Sequence, residues 1–306
     1  MDSRPAGRVA AKEVKPFIIL NPIAGSVQDL PRIMKELQRL RPAKLLATKH
    51  SGDAEKWAHR AVKDGCNYLV IAGGDGTLNE AINGVARTDM QPRIGIIPLG
   101  TGNDFARSFR LPSSVRENIN LLRAGRTRAV DIVRVRSKRV RYFVNVAAGG
   151  FSGIVRRKMT PEIKRGWGPL AYIRGAAAAL PKLHAYKTRV VLDDNEELST
   201  AVYNLVIANG RYAAGGLPIA PEADPTDGLL DVVLIPKRSV PEMALLAAEI
   251  MLGKHFSRNR VVFRRAKKVS VRSKPGMWFN VDGELVGSAP ATFRILPRRL
   301  KFIVKE

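Results

Sequence analysis

Near the N-terminus, a short apolar run stops three times at a glycine-bearing turn. Phe17 to Leu20 runs into Asn21-Pro22-Ile23-Ala24-Gly25-Ser26, with a helical pattern from Asp29 to Leu40. Tyr68 to Ala72 runs into Gly73-Gly74-Asp75-Gly76-Thr77 and a helix reaching Ala86, and Ile94 to Ile97 runs into Pro98-Leu99-Gly100-Thr101-Gly102-Asn103-Asp104. Ala43 to Thr48 supplies another strand, and Asp53 to Lys63 another helix. Strands alternating with helices demand a parallel sheet, and such sheets bind ligands outside the carboxyl ends of their strands. The three turns therefore share one edge.

After about Asp131 the pattern changes to alternating strands: Tyr142 to Ala147, Thr188 to Leu192, Val202 to Ala208, Leu230 to Ile235, Val261 to Val271 and Met277 to Val281. This predicts a mostly antiparallel second domain, with one helical insert from Pro169 to Leu180. A length of 306 residues also favours two domains.

Backbone N–H groups at a strand–turn–helix junction bind anions without special side chains. Gly73, Gly74 and Gly76 permit the close approach this needs. Asp75 puts a carboxylate inside that anion site, an arrangement that asks for a divalent cation between it and a phosphate. Thr77 can cap the helix or reach phosphate, and Asn79 and Glu80 lie in its first turn. Asp-Gly is also an ordinary turn dipeptide. Neither the P-loop pattern nor the dinucleotide G-x-G-x-x-G after a strand is present.

The chain has 52 Lys and Arg against 27 Asp and Glu, a net charge of +25, which favours an anionic partner: nucleic acid, anionic lipid or polyphosphate. One cysteine, Cys66, excludes an internal disulfide or a cysteine-based zinc cluster. Met1 to Pro16 is basic without an apolar run and reads as a disordered lead. The longest apolar stretch, Val240 to Leu252, is too short for a bilayer and is broken by Glu242 and Glu249. His50, His59, His184 and His255 show no metal-ligand spacing.

Gly73 to Thr77, followed by Asn79-Glu80, resembles the nucleotide signature shared by diacylglycerol, sphingosine, ceramide and NAD kinases. Ile97 to Arg107 resembles the diacylglycerol kinase catalytic domain and lacks a counterpart in NAD kinases. Asn21-Pro22 with Gly25, Thr48 with Gly52-Asp53-Ala54, Asn145 with Gly149-Gly150-Phe151, Asn209 to Tyr212, Gly215-Gly216, Pro221, Asp227 to Asp231 and Asp282-Gly283-Glu284 extend the resemblance over nearly the whole chain from Phe17.

The resemblance implies an NAD kinase-like fold. Its parts would be a disordered basic lead over 1–15, an α/β nucleotide domain over 16–135 plus 296–306, and a β-sandwich lipid domain over 136–295. A last strand near Leu300 to Val304 would return to the first domain. The implied activity is ATP-dependent phosphorylation of a lipid hydroxyl, diacylglycerol or a related alcohol, with Mg²⁺. Asn21, Pro22, Ile23, Ala24, Gly25, Thr48, Gly74, Asp75, Gly76, Thr77, Leu78, Asn79, Glu80 and Thr101 would hold ATP, and Asp75 and Asp104 would serve the magnesium network. Glu284 would be the general base; Asp282-Gly283 is also a good hairpin-turn signal, and such a turn can present the carboxylate to the cleft. A structural Mg²⁺ would take the Asp227 side chain with the carbonyls of Asp224 and Leu229.

Asp131 reads either as another acid near this site or as a strand-end carboxylate. The sequence departs from the family's pattern twice. No basic residue follows the first loop, leaving Arg32, Lys49 or Arg107 as substitutes, and Ala214 stands where a third glycine is usual. Trp167 and Tyr172 are candidates for acyl contact.

A lipid kinase without a membrane span would be cytoplasmic and visit the inner face of an anionic membrane. The carriers of that contact would be Arg156, Arg157, Lys158, Lys164 and Arg165 beside Trp167, or the stretch Lys254 to Lys274 with its nine basic residues and no acid. The alternatives are an NAD kinase, a non-catalytic nucleotide-binding regulator, and a nucleic-acid-binding module. No helix-turn-helix, zinc finger or aromatic RNA motif supports the last, so no nucleic acid is expected.

Overall fold

The computed structural model describes residues 15–150, 184–251 and 260–305. Strands and helices alternate through β1 (Phe17–Leu20), α1 (Leu30–Gln38), β2 (Lys44–Ala47), α2 (Asp53–Lys63), β3 (Tyr68–Gly73), α3 (Asp75–Ala86), β4 (Arg93–Pro98), α4 (Asp104–Ser108) and α5 (Val115–Ala124). Then come β5 (Thr127–Arg136), β6 (Val140–Phe143), β7 (Val146–Gly150), β8 (Tyr186–Leu192), β9 (Glu196–Ala208), β10 (Tyr212–Ala213), β11 (Leu217–Pro218) and β12 (Leu230–Pro236). The helix α6 (Val240–Met251) precedes β13 (Val262–Ala266), β14 (Lys268–Lys274), β15 (Trp278–Val281), β16 (Glu284–Ser288) and β17 (Ala291–Ile303).

β2, β1, β3 and β4 lie side by side and parallel, as the alternating pattern requires. β3 is buried along its whole length, which suits a central strand covered by helices on both faces. α2 and α3 close one face through Ala54, Ala58, Val62, Leu78, Ile82 and Val85. α1 and α5 cover the other, with Leu37, Ile119 and Leu122 among its buried residues.

The second half is antiparallel: β16, β15, β7, β9, β8, β14 and β17 neighbour one another in that order, and β5 pairs with β17. Inward-facing Val190, Leu205, Val269, Phe279 and Phe293 share one core. β17 spans both halves. Its first part pairs antiparallel with β14, and its end lies parallel to β4, Phe302 opposite Ile94.

Two expected strands are each divided. Val261 to Val271 breaks at Lys267, because β13 pairs with β12 whereas β14 joins β8 and β17, and the Lys267 N–H bonds Asp193 at 2.9 Å. Tyr142 to Ala147 breaks at Val144-Asn145, whose amides turn toward the Asp282 carboxylate. The expected lead over 1–15, the insert Pro169 to Leu180, Trp167, Tyr172 and the cluster Arg156 to Arg165 lie outside the described residues, Lys15 excepted.

α2 and α3 cross at Gly84, where a Cβ would stand 2.2 Å from the Glu55 carbonyl oxygen and 2.9 Å from the His59 nitrogen. Both are backbone atoms and cannot yield as a flexible side chain would. Gly84→Ala is therefore expected to destabilise by about 1–3 kcal/mol, since overpacking outweighs the roughly 1 kcal/mol that alanine adds to helix propensity. Thermal denaturation checks the sign.

Candidate active site

β3 and β4 end side by side, and the chain leaves both through glycine. A Cβ on Gly74 would lie 3.0 Å from the Gly100 Cα, and one on Gly100 only 2.6 Å from the Gly74 Cα. No other residue type fits this backbone contact. Asn103, at φ 51°, folds the second turn back: its Oδ1 accepts the Gly100 N–H at 2.9 Å and its Nδ2 donates to the Gly100 carbonyl at 2.6 Å.

The first loop locks onto the same edge. Asn21 N–H bonds the Ala72 carbonyl, its Nδ2 donates to Thr77 Oγ1 at 3.1 Å, and its Oδ1 accepts from Ile23 N–H. Ser26 N–H reaches the Leu99 carbonyl, and a Cβ on Gly25 would press the Thr101 methyl at 2.6 Å. Asn21 to Gly25, Gly74 to Glu80 and Thr101 thus come together at the carboxyl end of the sheet. Thr48, bonded through its N–H to the Leu20 carbonyl, follows β2 at that edge. Leu78 points into the α2–α3 core, and Ile23 is exposed.

Each of the two turns starts a helix whose first residue is aspartate. Asp75 Oδ1 accepts the Phe105 N–H at 3.4 Å, and Asp104 Oδ2 accepts the Gly215 N–H at 3.0 Å. The carboxylates converge at Gly102, where a Cβ would be 3.0 Å from Asp75 Oδ2 and 3.8 Å from Asp104 Oδ2. Burial raises the Asp75 pKa against the pull of nearby backbone N–H groups. Burial, and then the charge of Asp75, push Asp104 up to about 6. Asp104 Oδ1 is buried without a partner among the described residues. The short α4 is held in place by Phe105, packed on Phe302 at 4.8 Å and Phe109 at 5.0 Å.

The turn that supplies Gly215 comes from the second half of the chain. Ala214, Gly215 and Gly216 all have positive φ, so Ala214 accepts a left-handed backbone where glycine would be unstrained. Arg107 lies against Gly216, its guanidinium within 3.1–3.4 Å of where a Cβ would sit, and its charge lowers the Asp104 pKa. Of the three basic substitutes expected from the sequence, Arg107 is the one placed against this turn. Arg32 and Lys49 are exposed on the first domain.

Asp282-Gly283 is a tight turn between β15 and β16, and Glu284 opens β16. The Asp282 carboxylate accepts the N–H groups of Val144, Asn145 and Val146 at 2.8–3.3 Å, and Asn79 Nδ2 at 3.4 Å. Burial lifts its pKa to about 6. Asn79 ties this turn to α3, and Asn83 bridges α3 to Tyr142 through two backbone bonds.

Glu284 belongs to a chain of alternating charges. Its Oε1 meets Arg139 at 2.6 Å and its Oε2 meets Arg141 at 2.7 Å. Arg141 bonds Glu55 at 2.7 Å, and Glu55 bonds Arg87 at 2.7 Å. Glu55, Asn83, Arg139 and Arg141 carry no motif, and each meets partners distant in the chain. No local signal points to them.

The loop from Asp224 to Leu229 lies elsewhere. Asp227 Oδ1 accepts the Leu229 N–H at 2.9 Å, its Oδ2 is 3.7 Å from Arg265, and Asp224 Oδ1 accepts from the Thr226 N–H and hydroxyl. Asp131 stands mid-strand in β5 and faces this loop, taking the Gly228 N–H at 2.7 Å and the Arg298 N–H at 2.6 Å. Among the described residues no three His, Cys, Asp or Glu side chains gather to hold a metal.

Two family models cover the described architecture. Residues 15–135 match the diacylglycerol kinase catalytic domain, and residues 127–304 match the YegS C-terminal NAD kinase beta sandwich-like domain. The diacylglycerol kinase of Staphylococcus epidermidis is 34% identical over 293 residues, covering 94% of this chain and 92% of the relative. That of Staphylococcus haemolyticus is 33% identical over 288 residues, covering 93% and 86%.

The crystal structure of a diacylglycerol kinase from Bacillus anthracis superposes with a TM-score of 0.75 at 21% identity, over 95% of this chain and 97% of the other. An NAD kinase from Archaeoglobus fulgidus, in complex with ATP, shares the fold more distantly, at a TM-score of 0.51 and 15% identity over 95% and 94%. With its α/β half, its sandwich-like half and relatives matched from end to end, the chain belongs to the diacylglycerol kinase family, phosphotransferases that act on an alcohol acceptor.

Proposed function

We propose that this chain transfers the γ-phosphoryl group of ATP to a hydroxyl of a membrane lipid, diacylglycerol or a related alcohol, giving a phospholipid such as phosphatidic acid. The observation that carries the reading is the unpartnered, buried Asp104 Oδ1 beside the Asp75 carboxylate, at the mouth of three interlocked turns. Two desolvated carboxylates repel each other and a phosphate alike, and a divalent cation relieves both. The residues present fit Mg²⁺ at Asp75 and Asp104, which when bound would neutralise phosphate charge.

The protein's own part is alignment. Backbone groups of Asn21 to Gly25 and Gly74 to Glu80, with Thr101, would hold the phosphates, and Arg107 stands at the rim as a cationic ligand. The lipid hydroxyl oxygen forms a bond to the γ-phosphorus, the bond from that phosphorus to its bridging oxygen breaks, and ADP leaves. The hydroxyl proton passes to Glu284. The Arg139 and Arg141 contacts fix the direction of the Glu284 carboxylate, and the Asp282–Asn79 contact ties its hairpin to α3.

A second divalent ion at the Asp224–Leu229 loop, held through Asp227 and the carbonyls of Asp224 and Leu229, belongs to the same reading. Support comes from the charge of Asp227, which acts on both Asp131 and Asp231, and from the buried, unpartnered Asp231 Oδ2, with backbone carbonyls completing a shell that no three of the described carboxylates form. Among the described residues no helix is long and apolar enough to cross a membrane. The substrate would be met at an anionic bilayer surface, on the cytoplasmic side.

Radiolabelled ATP incubated with the protein, total lipid extract and added NAD tests the proposal. A labelled phospholipid supports it, whereas label on NAD alone, or on nothing, overturns it. Glu284→Gln is expected to lower turnover roughly 10²–10⁴-fold with little change in ATP affinity. Lost ATP affinity with intact turnover would refute the base.

Asp104 makes a pH-dependent contribution. Its pKa of about 6 in the fold lies above the ordinary 3.8, so the folded state binds its proton more tightly than the unfolded chain does. That contribution is complete below 3.8 and is lost as pH rises through 6. At pH 8 the ionised carboxylate costs on the order of 2–3 kcal/mol in metal-free protein. Asp104→Asn should therefore raise Tm in chelator at pH 8, leave it nearly unchanged at pH 4, and abolish transfer.

Asp227→Ala should lower Tm and shrink its Mg²⁺-dependent rise to the part that belongs to Asp75 and Asp104. An unaltered Mg²⁺-dependent rise excludes that ion.

A further inference from the structure

The sheet formed by β5, β17, β14 and β8 has one face in the sandwich core and one turned away from it. Val135, Phe293, Val271 and Val190 point inward. By strand alternation the opposite face carries Arg134 and Arg136 from β5, Arg294 from β17, Lys268, Arg272 and Lys274 from β14, and Lys187 and Arg189 from β8. The register sets like charges directly opposite each other: Lys274 faces Lys187, Arg272 faces Arg189, and Arg294 lies between Lys268 and Arg134.

Opposed like charges destabilise a sheet. Two acids relieve part of this, Glu197 on Arg189 at 2.6 Å and Asp194 on Lys268 at 2.7 Å. Lys187, Arg272, Lys274, Arg294 and Arg136 have no carboxylate within 4 Å among the described residues. The basic stretch near the C-terminus is split by its own strands. Arg264 and Arg265 of β13 are ion-paired to Glu196 and Asp231, whereas the β14 residues supply this face.

At the rim, the β5–β6 turn sets Lys138 over the Trp278 ring at 5.9 Å. Trp278 is 37% exposed and Val140, opposite Arg136 in register, 38%. A tryptophan beside lysine suits the headgroup level of a bilayer, where an amphipathic ring and a cation both find partners. The same turn carries Arg139, which holds Glu284.

We propose that this basic face, rimmed by Trp278 and Val140, is the surface on which the protein docks to an anionic phospholipid bilayer. The proposal rests on the lipid kinase reading above. The charge of the rows complements anionic headgroups, and the apolar rim lies next to the carboxylate that would meet the acceptor. Docking here would bring the lipid hydroxyl to Glu284 without extracting the lipid into water.

The test uses the full chain, sedimented with vesicles of equal parts phosphatidylcholine and phosphatidylserine, and with phosphatidylcholine alone. The quadruple variant Lys187→Gln, Arg272→Gln, Lys274→Gln, Arg294→Gln should bind the mixed vesicles at least roughly 100-fold more weakly, each basic residue near the surface contributing about fivefold. A control that removes the same charge elsewhere, Lys35→Gln, Lys56→Gln, Arg60→Gln, Lys63→Gln, should bind within about threefold of wild type. Trp278→Ala should weaken binding to both vesicle types.

If the quadruple variant, with unchanged circular dichroism and Tm, sediments like wild type, or if the control loses as much, the face is not the docking surface. A salt-sensitive gel shift on duplex DNA that the quadruple variant alone loses, with vesicle binding intact, would give the face to nucleic acid and overturn the proposal. Activity on a short-chain, water-soluble diacylglycerol separates the two claims. Retained activity with lost sedimentation supports docking. No activity in any form, with sedimentation still dependent on these four residues, removes the kinase reading and leaves the docking face standing.

Discussion

The contact on which the site depends is a backbone meeting a backbone. Gly74 and Gly100 approach so closely that a methyl on either would strike the other's Cα, and that approach lets α3 and α4 begin side by side. Each helix opens with aspartate, so the contact brings two negative groups into a place largely shielded from water. Desolvation raises both pKa values and the charge of Asp75 raises that of Asp104 further, and the N–H groups of Asn103, Asp104, Phe105 and Gly215 offset only part of this. A site held in an unfavourable electrostatic state by rigid backbone is poised for a cation and a polyphosphate.

β17 transmits this geometry between the halves. It begins in the antiparallel sheet, shifts register between Leu296 and Leu300, and ends parallel to β4. The shift frees the Arg298 N–H, which the Asp131 carboxylate accepts. Past that point Phe302 packs under Phe105, so the helix bearing Asp104 rests on the last strand of the chain. The Gly215 amide reaches Asp104 from the sandwich side. Both halves thus meet at one carboxylate, and a change in their relative position would be felt there.

The α/β half was legible because its signals are local. β1, α2 and the end of α3 fall where apolar runs, turn glycines and helical spacing put them. β5 and α5 were not anticipated. Thr127 to Arg136 carries four charged residues, and its strand character comes from pairing with β17 over 150 residues away, which no local pattern encodes. The division of Tyr142 to Ala147 was hidden for the same reason, since the break answers a carboxylate at Asp282. Of the site, the glycine turns and both aspartates could be read. The Glu55–Arg141–Glu284 chain could not, because it joins α2, β6 and β16 only once the sheet has formed.

Charge distribution follows the same logic. A net charge of +25 describes the chain but not its field. Carboxylates gather in two places, the Asp75–Asp104 pair and the loop that faces Asp131, and the alternation of β8, β14, β17 and β5 sorts many of the bases onto one sheet face. A linear run of lysines and arginines is therefore a poor guide to a surface, since neighbours in a strand point to opposite sides. The separation also has a physical use. Surface charges are screened over roughly 8–10 Å at physiological salt, so a basic face removed from the acidic pair can hold an anionic surface without neutralising the carboxylates that a cation must bind. Among the described residues, Arg107 at the glycine turn and the Arg139–Arg141 pair bring positive charge against the site itself: the charge of Arg107 acts on Asp104, and Arg139 and Arg141 are ion-paired with Glu284.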